Sequence, residues 1–150
     1  VYRTMHRMVA KVILRNPAGQ VLMQKVKRGF FTGHWTLPGG FLDYAEHPRE
    51  GAERELNEEL GVELRLSDPL GEAGNPRAGN DRHIVQERIF TSEGINFVSF
   101  SYLLDVEDGL EFTLKPDEIE EVRWFEPEDA LAVAASLFDV EAYRILLEDE

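Results

Sequence analysis

One run of 23 residues, Gly40 to Val62, limits what this chain can fold into: GFLDYAEHPREGAERELNEELGV. Pro48 suits the first turn of a helix, because it has no amide hydrogen to leave unpaired. Residues 48–60 hold no further proline and are rich in Ala, Glu, Arg and Leu, which are good helix formers. Gly61 stands where a helix takes its left-handed stop. Ala52, Leu56 and Leu60 recur every four residues and make the stripe that such a helix buries. Just upstream, Leu37-Pro38-Gly39-Gly40 reads as a strand end passing into a tight glycine turn. Downstream, Val62, Leu64 and Leu66 alternate with polar residues, as in a half-buried strand. The predicted unit is strand, glycine loop, acidic helix, second strand.

Helical winding puts Glu55, Glu58 and Glu59 at i, i+3 and i+4, on one face. A merely solvated helix gains from opposite charges four residues apart, whereas Glu55 and Glu59 form a like-charge pair that is mildly destabilising. Three carboxylates on one face call for something positive among them. A hard divalent cation suits, since Mg²⁺ prefers carboxylate oxygen and keeps waters and substrate phosphates as its other ligands. Glu50, Glu53 and Asn57 read instead as solvated surface.

The run follows the spacing G-x5-E-x7-R-E-U-x-E-E-x-G-U, with U a bulky aliphatic residue, at every position: Gly40, Glu46, Arg54, Glu55, Leu56, Glu58, Glu59, Gly61 and Val62. This is the Nudix box, and the chain resembles the Nudix hydrolase family. The lead-in from Trp35 to Gly40 and the late segment from Glu118 to Phe125 resemble the family too. The resemblance implies an α/β fold, an α/β/α sandwich around a central mixed sheet. It implies metal-dependent hydrolysis of the pyrophosphate bond in a nucleoside diphosphate linked to another group. Glu55, Glu58 and Glu59 then hold Mg²⁺, with Mn²⁺ as a substitute, and the backbone carbonyl of Gly39 or Gly40 is a further ligand. Arg54 pairs inward with Glu46 and keeps loop and helix in register. The number of ions stays open. So does the general base, for which Glu59, Glu118 and Glu121 are candidates.

Among substrates, ADP-ribose or a nucleotide sugar is the first expectation. Cleavage of a nucleoside triphosphate, including clean-up of damaged nucleotides, is the second. A nucleotide sensor without turnover is a reading from another class, but such domains tend to lose box glutamates and none is lost here. An acidic scaffold would not need the spacing at all. Arg28, Arg77 and Arg82, with Lys27, are candidates for phosphate contacts. Trp35, Phe30 and Phe31 are candidates for stacking on a base, although aromatics more often pack in a core. His6, His34, His47 and His83 show no metal-ligand spacing.

Composition sets outer bounds. A chain of 150 residues is expected to form a single domain, 1–150, with 43% hydrophobic residues supplying its core. The net charge of −13 argues against a polynucleotide partner, which needs a basic face. A small phosphorylated partner remains compatible, and a homodimer is an option. No run approaches a membrane span. Cysteine is absent, which removes disulfides and thiol nucleophiles and agrees with a cytoplasmic protein. Along the chain, Met8–Arg15 and Val21–Val26 read as a hairpin around Asn16-Pro17-Ala18-Gly19. Residues 83–90, 97–106 and 121–125 read as strands, 91–94 as a turn, 71–81 as a glycine-rich loop, and 127–134 and 140–147 as helices.

Overall fold

The computed structural model describes residues 5–66, 81–92 and 95–148. Seven strands and three helices are formed among them: β1 Met5–Arg15, β2 Val21–Val26, β3 Trp35–Thr36, β4 Gly39–Phe41, α1 Pro48–Leu60, β5 Asp81–Ser92, β6 Ile95–Asp105, β7 Ile119–Phe125, α2 Pro127–Val133 and α3 Leu137–Glu148. They build one mixed sheet with the order β3-β2-β1-β6-β5, in which β4 also pairs β1 and β7 also pairs β2. The predicted loop over 71–81 lies outside the described residues except for Asp81, which opens β5. The predicted turn over 91–94 is half absorbed by β5, which runs to Ser92.

β1 is the spine. It runs parallel to β6 along its whole length, from Met5 opposite Ile95 to Arg15 opposite Asp105. On its other edge it meets β2 at Arg15 and Val21, beside the predicted turn. Farther down, the partner is no longer β2 but β4, with Val9, Ala10 and Lys11 opposite Phe41, Gly40 and Gly39. β1 and β2 therefore splay apart, and residues 36–41 are wedged into the opening, with Val12 N–H donating to Pro38 O at 3.0 Å. The glycines predicted as a tight turn are thus strand β4, because they pair with β1, and the bend falls before them at Pro38; bend and glycines together form the glycine turn that lies against the centre of the sheet.

Alternation along β1 sorts its side chains into two layers. Ala10, Val12 and Leu14 join Leu22, Tyr102, Leu104 and the α1 stripe Ala52, Leu56 and Leu60 in one core. Ile13 joins Val21, Met23, Leu37, Leu103 and, from α2 and α3, Ala130, Ala142, Tyr143 and Leu146 in the other. The result is the α/β/α sandwich expected from the resemblance, with α1 on one face and α2 and α3 on the other.

The predicted strand from Val62 is not formed, and residues 61–66 carry no regular structure. The physical reason lies in α1, whose side chains take the backbone groups that a ladder would use. Glu53 accepts from Leu66 N–H at 2.9 Å, and the Arg49 guanidinium donates to Leu66 O at 2.9 Å. Glu53 is thus a tether rather than a solvated surface residue. No helix among the described residues is long and apolar enough to cross a membrane.

Candidate active site

α1 begins and ends as its sequence demands. His47 is the N-cap, its ring nitrogen accepting from Arg49 N–H at 3.1 Å, and Pro48 follows in the first turn. Gly61 closes the helix in the left-handed conformation at φ 68°, with its N–H on Asn57 O. Because both ends are fixed, the acidic face is fixed as well.

The acidic residues on that face divide into two sets. Arg54 gathers the first. Its guanidinium lies 2.8 Å from Glu46, 3.0 Å from Glu55 and 3.1 Å from Glu58, and it also donates to Phe41 O at 3.1 Å. The Arg54 hydrogen bond holds the Glu46 carboxyl below its ordinary range, and Glu46 in return raises Arg54 further above its own. Glu46 also caps the turn, accepting from Asp43 N–H at 2.9 Å. This is the pairing that the resemblance implied for Arg54 and Glu46.

Glu59 stands apart. It is buried at 7% exposure. Its carboxylate accepts from Gln24 Nε2 at 2.8 Å and from Gly39 N–H at 2.9 Å. Burial pushes its pKa up to about 7; the Gln24 hydrogen bond opposes that, and the charge of Glu55 adds to it. Glu55 is also raised, first by burial, against the pull of Arg54 and with the repulsion of Glu58 and Glu118. Glu118 is thus near enough to Glu55 to be felt, while its own carboxylate pairs with Lys115 at 3.2 Å.

The glycine turn sets the approach between strand and helix. Gly39 has φ 140°, and a Cβ there would collide with the backbone of Ala10 and Lys11, so no other residue fits. A Cβ on Gly40 would stand 3.0 Å from the Glu55 carboxylate. The missing side chain leaves that carboxylate room beside the turn.

These donors fit a hard divalent cation in kind: carboxylates of Glu55, Glu58 and Glu59 and the backbone of the 39–40 turn, all oxygen. They are not gathered in advance. Among the described residues no three acidic or histidine side chains converge as a ready cage. Arg54 supplies the positive charge that this face requires.

A cleft of about 220 Å³ opens from Glu59 and the glycine turn, and it runs past Gln24, Lys11, Phe31 and Phe138. Arg28 and Phe30 stand at it too, Phe30 at 93% exposure and Arg28 loosely paired with Asp117 at 3.7 Å. Other sequence candidates lie elsewhere. Trp35 packs edge-on against Phe125 at 5.1 Å between ring centres, on the core beneath α2 and α3. Lys27 donates to Pro116 O at 2.9 Å. Glu121 pairs with Arg123 at 3.2 Å on β7 and is not among the residues lining the cleft. Arg82 is in β5, but its side chain, like all of Arg77, lies outside the described residues. The cleft also uses side chains that no motif marked: Lys11, Gln24, Ser136 and Phe138. The available signal for Lys11 was a charge inside an otherwise apolar strand, Met8-Val9-Ala10-Lys11-Val12-Ile13-Leu14.

Comparison with known proteins agrees with this architecture. A putative 8-oxo-dGTP diphosphatase of Bacillus subtilis (strain 168) is 35% identical over 80 residues, 53% of this chain and 52% of that protein. Nucleoside triphosphatase NudI of Salmonella heidelberg (strain SL476) is 38% identical over 63 residues, 41% of this chain and 45% of that protein. The chain thus spans about half the length of these curated relatives. The crystal structure of a MutT protein from Methanosarcina mazei Go1 superposes with a TM-score of 0.75 at 19% identity, covering 100% of this chain and 99% of that one, and so shares the fold. The family model described as NUDIX domain matches residues 5–146. With the box helix, the glycine turn and the layered sheet all in place, the chain belongs to the NUDIX domain family.

Proposed function

We propose that residues 1–150 act as a single pyrophosphohydrolase domain on a nucleoside diphosphate linked to another group, of the nucleotide-sugar or ADP-ribose type, with Mg²⁺ as cofactor and Mn²⁺ as substitute. One observation carries the reading: a buried, elevated Glu59 is held at 2.9 Å by the amide of the glycine turn, where it lines a cleft and feels the charge of Glu55. A bound divalent ion would neutralise diphosphate oxygens and lower the pKa of a water. Glu55, Glu58 and Glu59 and a carbonyl of Gly39 or Gly40 would hold it. Arg54 and Glu46 fix the turn against the helix.

In the reaction a water oxygen bonds to one phosphorus. The bond from that phosphorus to the bridging oxygen breaks, and the bridging oxygen leaves with the electron pair. The water proton passes to a carboxylate. Glu59 suits this role where it does not ligate the ion, because a pKa near 7 matches proton transfer at neutral pH. Glu118, close to Glu55, is the alternative from the late segment, ahead of Glu121. Arg28 at the cleft mouth meets a phosphate, with Arg77 and Arg82 as further candidates.

The names of the curated relatives favour a second reading, in which the substrate is a free nucleoside triphosphate. A panel of both substrate types separates the two. With Mg²⁺, phosphatase-coupled release from nucleotide sugars or ADP-ribose supports the first, and pyrophosphate release from triphosphates supports the second. Glu58→Gln and Glu59→Gln are each expected to lower turnover by about 100-fold or more. Undiminished activity in both variants would remove these residues from the site, and binding without turnover would leave a sensor.

A further inference from the structure

The two walls of the cleft belong to different layers of the sandwich. Glu59 and Gln24 form the wall on the α1 side, and their carboxylate and amide are joined at 2.8 Å. Lys11 forms the other. It shares the face of β1 that carries Ile13, toward α3, and it is only 8% exposed. An ammonium group so deeply placed needs partners. Its Nζ donates to Leu37 O at 3.3 Å and lies 3.4 Å from Asp139 Oδ1. Asp139 is fully buried near the start of α3, and its other oxygen accepts from Leu37 N–H at 3.0 Å. Lysine has three protons to donate and no acceptor. Leu37 O takes one, and Asp139 Oδ1 balances the charge at 3.4 Å.

Lys11 also lines the cleft, so a remaining proton is available to an acceptor bound there. A phosphate is disfavoured. Lys11 pairs with Asp139 and its charge is also felt by Glu59, so an anion there would sit between two buried carboxylates, and the glutamates proposed to hold metal are on the opposite wall. A neutral acceptor on a flat ring fits better. Phe138 adjoins Asp139 in sequence and lines the same wall, and the Phe97 ring lies 5.7 Å from it. Aromatic rings near a fixed donor suit a nucleobase. The bases differ at this edge. Guanine and hypoxanthine carry a keto oxygen beside N7, both acceptors, and uracil carries a keto oxygen; adenine and cytosine place an amino donor there. An ammonium facing an amino group is a donor against a donor.

Resting on the hydrolase reading above, we propose that Lys11, positioned by Asp139, is a specificity-determining residue that selects keto bases over amino bases. Within the nucleoside diphosphate class this points to guanosine- or uridine-linked substrates rather than adenosine-linked ones such as ADP-ribose.

The test uses matched pairs that differ at this edge, inosine against adenosine and uridine against cytidine, as diphosphate sugars for turnover and as monophosphates for binding by calorimetry. Wild type is expected to favour the keto member by about 10- to 100-fold in kcat/KM and in Kd, the range of one hydrogen bond to a charged group. Lys11→Arg should keep the preference. The paired change Lys11→Met with Asp139→Asn, which leaves no uncompensated buried charge, should bring the ratio to about one, with circular dichroism confirming the fold. A wild-type ratio near one in both readouts overturns the proposal. An equal loss for keto and amino members in the double variant also overturns it, because that marks a phosphate contact. If no substrate turns over while the binding preference stands, the hydrolase reading fails and the assignment of Lys11 survives.

Discussion

Glu59 does two jobs that pull against each other. As a carboxylate it anchors the glycine turn through Gly39 N–H, and as a buried group it resists ionising. The consequence for stability has a definite sign. Its folded pKa of about 7 lies above the ordinary 4.5. The stability this group contributes is therefore complete below about pH 4.5 and is lost as pH rises through 7. The loss is on the order of 3 kcal/mol for a shift of this size. Urea unfolding in EDTA between pH 5 and pH 8 should show wild type weakening toward pH 8, and Glu59→Gln should flatten that slope. The site was unevenly legible at this scale. Arg54, Glu46 and the box glutamates declare themselves by spacing. Lys11 and Asp139 do not, because a lone charge in an apolar stretch of strand and one of several charges in a helix acquire meaning only when the fold sets them 3.4 Å apart.

At the scale of elements, α1 is both the clearest reading and the mechanical base of the site. Proline at its start, glycine at its end and a four-residue apolar stripe fixed its limits at 48 and 60, and the structure keeps both. Leu56 sits at the centre of that stripe and is fully buried between the sheet and the helix. Leu56→Ala should cost about 2–5 kcal/mol in chemical denaturation, the range for a cavity opened in a packed core. Because Leu56 lies between Glu55 and Glu58 in sequence, turnover should fall with stability. The segment after α1 was misread, since alternation of Val62, Leu64 and Leu66 suggests a strand while Arg49 and Glu53 of the helix capture Leu66. β4 was also hidden, because Gly39 and Gly40 read as a turn, and β3 was anticipated only as the strand end before them. Their pairing depends on β1 and β2 parting lower down, and long-range pairing leaves no mark in a local pattern.

For the whole molecule the net charge is −13, and α1 carries Glu55, Glu58 and Glu59 together on one face. An ion that binds only the folded site stabilises it by mass action. Saturating Mg²⁺ or Mn²⁺ should raise the melting temperature by about 5 °C or more, given about 3 kcal/mol at a hundredfold excess over Kd. Differential scanning fluorimetry with and without EDTA reads this directly, and Glu55→Gln with Glu58→Gln should erase most of the shift. The layered architecture was legible from the box and its flanks, whereas the cleft between layers was not, because its walls come from β1, β2, α1 and α3, which are far apart in the chain. Arg54 would shape how such an ion arrives. Its guanidinium already occupies the electrostatic seat among Glu46, Glu55 and Glu58. A divalent ion held by Glu55 and Glu58 would then trade places with a cation already there, while Glu46 would keep the arginine beside the helix, so the face would not stand with its repulsion uncompensated.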